Sequence, residues 1–193
     1  MKRLRLFVLL AIVAMVAGIA PANIASAGAE NPVARPIISI SLDPASPMST
    51  SVFQGTPDVT FTVVRITNFG KKPVTINQVT VVREGISFAT VRTDGIWHDR
   101  NVTEVELFVG STLVSTPRRL ILPEVTFPTN LVVPAHWHCI LTIKGSIAPD
   151  ALVGSQIALG VSDVVAFSSS TSGVRTTVQG LPVWGNLVSI VRE

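Results

Sequence analysis

The chain has 193 residues, with 15 Lys+Arg against 12 Asp+Glu, one Cys, no Tyr, and 13 each of Gly and Pro. That length suits one domain, and a single Cys excludes both a disulfide framework and a Cys-cluster zinc site. The basic excess sits in Lys2, Arg3 and Arg5, so the rest of the chain carries 12 basic against 12 acidic residues and no electrostatic footprint for nucleic acid.

Behind those three cations, Leu6 to Ala20 runs without a charge, followed by Pro21 and then Ala25-Ser26-Ala27. A positive end, an apolar segment and small residues for the peptidase are the three parts of a secretory signal peptide. The apolar run also falls short of the roughly 20 residues that span a bilayer as a helix. The pattern predicts a signal peptide over 1–27, cleaved after Ala27. The product is then exported, to a periplasm, to the cell surface or into the medium, and meets the membrane only during export.

From Asn31 onward the apolar residues come in short runs rich in Val, Ile, Thr and Phe, split by Gly, Pro, Asn and Asp. Such runs are written for strands and turns. Strands are predicted near 36–42, 58–67, 73–83, 102–109, 119–127, 139–147, 155–166 and 186–192, with weaker ones near 86–91 and 174–178. Val59/Phe61/Val63, Val105/Leu107/Val109 and Ile157/Leu159/Val161 alternate with period two, which places each set on one face of a pleat. Glu104 and Glu106 fall on the solvent side of the 102–109 strand. The phase slips once between Val63 and Val64 and once between Val74/Ile76 and Val79/Val81, as a β-bulge or a strand crossing between sheets would make it. Asn68-Phe69-Gly70, Asp94-Gly95 and Val109-Gly110-Ser111 carry the turn chemistry. Pro36, Pro44, Pro47 and Pro57 make 28–51 a Pro-rich N-terminal segment or an edge strand. Residues 52–193 then form a single two-layer antiparallel β-sandwich.

Ser46-Pro47, Val52-Phe53-Gln54-Gly55 and the strand from Asp58 to Ile66 resemble the start of immunoglobulin-like modules in bacterial surface and secreted proteins. Glu104 to Val114 is similar to their strand-turn-strand of the form Leu-Tyr-x-Gly-x-x-Val, with Phe108 in the aromatic place. Leu131 to Ala135, with Ile140 to Ile147 after it, resembles their Ile-Pro-Ala-Gly turn and the strand that follows. His136-Trp137-His138-Cys139 departs from the pattern, standing where such modules place Gly and small polar residues. The resemblance covers about three quarters of the chain beyond the leader. It implies an immunoglobulin-like fold, an exported location and a non-catalytic role, and it transfers no functional residues.

His136 and His138, spaced i and i+2, would share a strand face and could chelate zinc or copper, with His98 the only other imidazole. Against this stands an ordinary exposed turn after Pro134-Ala135, with Cys139 a small buried hydrophobe. Trp97 lies in an expected loop, Trp97-His98-Asp99-Arg100. There, like Trp137, it could stack on a sugar ring or anchor a partner; alternatively it folds over the end of the sandwich, and Trp184 is open to both readings. Asp99, Glu104 and Glu106 suggest no glycosidase pair, because nothing implies a cleft between them. Motifs for an activated nucleophile or a phosphate-cradling loop are missing, so no enzyme and no cofactor are expected. Asn101-Val102-Thr103 fits the N-glycosylation sequon.

The expectation is an exported, non-catalytic β-sandwich acting in binding or structural assembly. Its partner is a protein, a surface glycan, or a second copy whose open sheet edge accepts the stretch from Ile37 to Leu42, a stretch expected otherwise to pair at home as an edge strand. The alternatives are a small metal-binding domain using His136 and His138, and a carbohydrate-binding module using Trp97 or Trp137.

Overall fold

The computed structural model describes residues 37–193 apart from 87–89, 94, 122 and 169–175. The expected signal peptide, Asp94 and most of the Ser168–Ser172 loop lie outside the described residues. None of the residues described is helical. Fourteen strands are described: β1 Ile38–Leu42, β2 Thr50–Phe53, β3 Val59–Asn68, β4 Val74–Ile86, β5 Thr90–Thr93, β6 Ile96–Asp99, β7 Val102–Val109, β8 Thr112–Leu113, β9 Glu124–Val133, β10 His138–Ile147, β11 Gln156–Ser168, β12 Val178–Gln179, β13 Val183–Trp184 and β14 Val188–Val191.

Two sheets pack face to face. The first has the order β12-β1-β3-β10-β7-β8 and the second β2-β14-β11-β4-β9, with β13 also pairing with β11 and β5-β6 forming a separate hairpin. The long pairings are antiparallel, whereas β1 with β12 and β2 with β14 run parallel at the margins. Alternation puts Phe61, Ile66, Leu107 and Ile143 of the first sheet and Ile76, Val81, Phe127 and Leu159 of the second into one core, each without solvent exposure. Burying such side chains stabilises by about 1.5–3 kcal/mol each, which drives the two faces together.

Both phase slips read from the sequence are bulges. In β3 the register against β10 shifts across Phe61, so that Phe61 and Thr62 both point inward and the Thr62 hydroxyl donates to the Leu159 carbonyl of the opposite sheet. In β4 it shifts at Asn77 against both neighbours. The chain also changes sheets through prolines. After β1 it turns at Pro44 and Pro47, and β2 joins the other sheet. Asp43 fixes that corner: it accepts from the Ala45 N–H at 2.9 Å and pairs with Arg65 at 2.9 Å. A return crossing follows β12. Gly180, at φ 89°, and Gly185 lead the chain across, and Gly185 donates to the Leu159 carbonyl at 3.1 Å. A Cβ on Gly185 would lie 2.6 Å from the Phe61 carbonyl oxygen, so only glycine fits between the sheets here.

β1 and β2 pair with β3 and β14 inside the compact unit of residues 36 to 193. Two expectations change. The strand expected at 119–127 begins later, at Glu124, because Leu120 is buried on its own while Arg118 and Ile121 make isolated bridges to Val105 and His98. Finally, Trp97-His98-Asp99 is strand β6 of a hairpin and not a loop. The stretch Ile38–Leu42 pairs with β3 of its own sheet over five residues.

Candidate functional site

Asn68 ends β3 with its side chain fully buried. Its Nδ2 donates to the carbonyls of Lys72 at 2.9 Å, Val133 at 3.0 Å and Pro134 at 3.1 Å, while Oδ1 accepts from the Gly70 N–H at 2.8 Å. One amide therefore staples the β3–β4 turn to the β9–β10 turn. The backbone repeats the link: Asn68 N–H donates to the Trp137 carbonyl at 2.8 Å, Phe69 N–H to Ile37 at 2.8 Å, and His136 N–H to Gly70 at 3.3 Å. Two aromatic side chains rise from these fastened turns, Phe69 at 59% exposure and Trp137 at 61%. The Trp137 indole stacks on the His138 ring, 5.7 Å between centroids and 16° between planes. Lys71 and Lys72 stand exposed beside them. The sequence reading took Asn68 only as a turn signal; that two turns 65 residues apart meet at its amide had no local mark.

His136 sits in the turn with φ at 54°, and β10 begins only at His138. The two imidazoles therefore do not share a strand face, which corrects the geometry on which chelation was expected. Nε2 of His138 lies 3.4 Å from Nη1 of Arg65, itself paired with Asp43, so a metal there would meet a guanidinium. His98 is on β6, in another part of the molecule. Among the described residues no group of three or more His, Cys, Asp or Glu could hold a metal ion. Cys139 turns inward as expected, and burial pushes its thiol up to about 11, which leaves it unreactive at neutral pH.

Trp97 lies at the other end of the sandwich, about 30 Å away by the rise of β4 from Val74 to Arg83. It is 54% exposed, and the Arg92 guanidinium lies 5.7 Å from its ring centroid across the hairpin. Next to it the sequence hid a buried ion pair, Arg83 to Asp99 at 2.7 Å, with both side chains sealed from solvent. Burial raises the Asp99 carboxyl and lowers Arg83, each partner opposing the shift of the other. Asp99 also accepts from the N–H groups of Asn101 at 2.7 Å and Val102 at 2.9 Å, so it pins the hairpin to the sandwich. Asn101 is itself fully buried, donating to Ser155 and accepting from Leu152 N–H, which closes the expected glycosylation sequon in the folded chain. Glu104 and Glu106 face outward on β7 as expected. Trp184 is half-buried, with its ring over Gly160, and covers the sheet.

No family model matches this chain, and no curated protein matches it. Solved structures do share its outline. The seventh ScaB type I cohesin from Pseudobacteroides cellulosolvens is 10% identical with a TM-score of 0.39, covering 81% of this chain and 93% of that one. The PapD-like domain 7 of human CEP192 is 12% identical at a TM-score of 0.37, over 81% of this chain and 87% of that one. A family 123 glycoside hydrolase from Clostridium perfringens gives 7% and 0.38, over 81% of this chain but 27% of that one. The fold is a two-layer β-sandwich. Likeness at this level concerns the sandwich alone, and no partner or activity of those proteins carries over to this chain.

Proposed function

We propose that this is an exported, non-catalytic binding module that docks a protein partner through the Phe69/Trp137 end. The observation that carries the reading is a pair of exposed aromatics on two turns held rigid by one buried amide. Rigid aromatic anchors bind at small entropic cost. About 100–150 Å² of apolar surface on each ring, at about 25 cal/mol per Å², offers roughly 6 kcal/mol before the costs of association. The backbone of His136 supports it too, since glycine would take its left-handed conformation at about 1 kcal/mol less. Strain of this kind gathers at binding sites.

The test immobilises the folded chain and passes over it the envelope proteins of the producing cell. Trp137→Ala with Phe69→Ala should weaken retention of the captured partner at least tenfold, while Trp97→Ala leaves it unchanged. Equal retention by the double variant would overturn the reading. Quenching of Trp137 fluorescence by polysaccharides, with no protein retained, would favour a carbohydrate-binding module instead.

A further inference from the structure

We propose that the partner of this platform is a second copy of the same chain, docked head to tail, with the Phe69/Trp137 end of one copy on the acidic corner at the far end of the next. The proposal rests on the reading that the platform docks a protein. The platform is cationic: Lys71 and Lys72 are exposed, and neither 68–73 nor 131–138 contains an Asp or Glu. At the other end of the first sheet, Asp58 and Glu104 are exposed beside Glu106. Glu106 feels its surroundings: burial raises its carboxyl first, and the charges of Glu104 and Asp58 add to it, offset in part by Lys144. Exposed apolar side chains stand on segments that reach the same end, Phe53 at 51% and Leu152 at 50%, tied together by Gln54 Nε2 donating to the Ala151 carbonyl at 2.6 Å.

The two ends cannot satisfy each other within one molecule. β10 pairs with Thr67 at His138 and with Glu104 at Ser146, eight residues further on. At about 3.3 Å per residue this separates the ends by about 26 Å. Joining two platforms face to face would bring four lysines together, which disfavours a two-fold dimer. Platform on acidic corner joins opposite charges and apolar surface to apolar surface, and leaves a free end at each side, the arrangement that propagates into an open chain of molecules. The non-glycine residues with left-handed backbone among those described are His136 and Asp58, one at each end.

The experiment is sedimentation velocity on the mature chain exported with its own leader. The wild type should form concentration-dependent oligomers that dissociate as NaCl is raised, because exposed charge pairs are screened. Lys71→Glu/Lys72→Glu and Asp58→Lys/Glu104→Lys should each weaken self-association more than tenfold. An equimolar mixture of the two should restore it, since each copy then meets an opposite charge at both ends. A wild type that stays monomeric at its highest soluble concentration, oligomers indifferent to salt, or a mixture that remains monomeric would each overturn the proposal. Thermal melting reports whether each variant folds, and the salt response of the wild type decides the matter if one does not. Loss of a foreign partner with Phe69→Ala/Trp137→Ala is read separately, so self-docking can fail while the platform stands.

Discussion

Replacing Asn68 with Ala removes an amide that bonds three carbonyls and one N–H, all between 2.8 and 3.1 Å. Two N–H groups serve the three carbonyls, so the loss is nearer three full hydrogen bonds than four. Each is worth about 1 kcal/mol net, and a buried carbonyl left short of a partner costs about 1–3 kcal/mol more. The sum, roughly 4–6 kcal/mol, lowers the melting temperature of a domain this size by about 10–20 °C. Asn68→Asp separates the hydrogen bonds from the shape. A carboxylate facing three carbonyl oxygens is repelled by all of them, so its folded-state pKa rises above the unfolded value. Its stability deficit is then largest at neutral pH and shrinks as the pH falls and the protonated group donates one bond. Calorimetric melts of wild type and both variants at pH 7 and pH 4 measure this, and amide exchange at Phe69–Lys72 and Ala135–Trp137 localises it. A loss below about 1 kcal/mol for Asn68→Ala, or an Asn68→Asp deficit that does not shrink in acid, would refute the staple.

Gly185→Ala should be more damaging than Gly110→Ala: the former sets a methyl 2.6 Å from the Phe61 carbonyl, the latter meets nothing within 4 Å and costs only the strain of its φ of 61°. Comparative urea melts should show about 3 kcal/mol or more against about 1 kcal/mol. Arg83→Met leaves the sealed Asp99 charge without its ion pair and should cost about 3–5 kcal/mol. Adding Asp99→Asn, which still accepts the Asn101 and Val102 N–H groups, should recover part of that loss in the same melts. The Ala45 N–H, with Arg65 beside it, holds the Asp43 carboxyl below the ordinary aspartate value of 3.8. Its contribution to stability is therefore complete above pH 3.8 and lost as the pH falls through the lower folded-state value. Asp43→Asn should flatten that acid limb of the stability curve, and an unchanged slope would count against the corner.

Period-two alternation was enough to place the long strands, because each has one face in the core and the pattern is the imprint of that burial. The slip between Val63 and Val64 announced a bulge, although it falls two residues earlier, where the Thr62 hydroxyl turns inward to the opposite sheet. Strands of two to four residues, such as β2, β12 and β13, are too short to show a period and rest on distant neighbours. The hairpin β5–β6 was hidden for another reason. His98 and Asp99 look like loop residues, and only the Arg83 guanidinium supplied by β4 makes a buried Asp99 tolerable. Trp137 was legible as a candidate from its residue type, whereas Asn68 was not, since its worth lies in carbonyls 65 residues away. The departure at His136-Trp137-His138 was the one local mark of the turn that Asn68 fastens.

The parallel pairing of β2 with β14 bears on how this sandwich carries load. β2 is near the start of the described chain and β14 near its end, and they run side by side over four residues, extended by Thr50 N–H to Leu187 and Gln54 N–H to Val191. A pull on the start of β2 against the end of β14 draws these strands along their own length in opposite directions, so the bonds are sheared together and not peeled singly. Loaded in that way, this margin of the second sheet yields as a unit, at high force, rather than lengthening gradually.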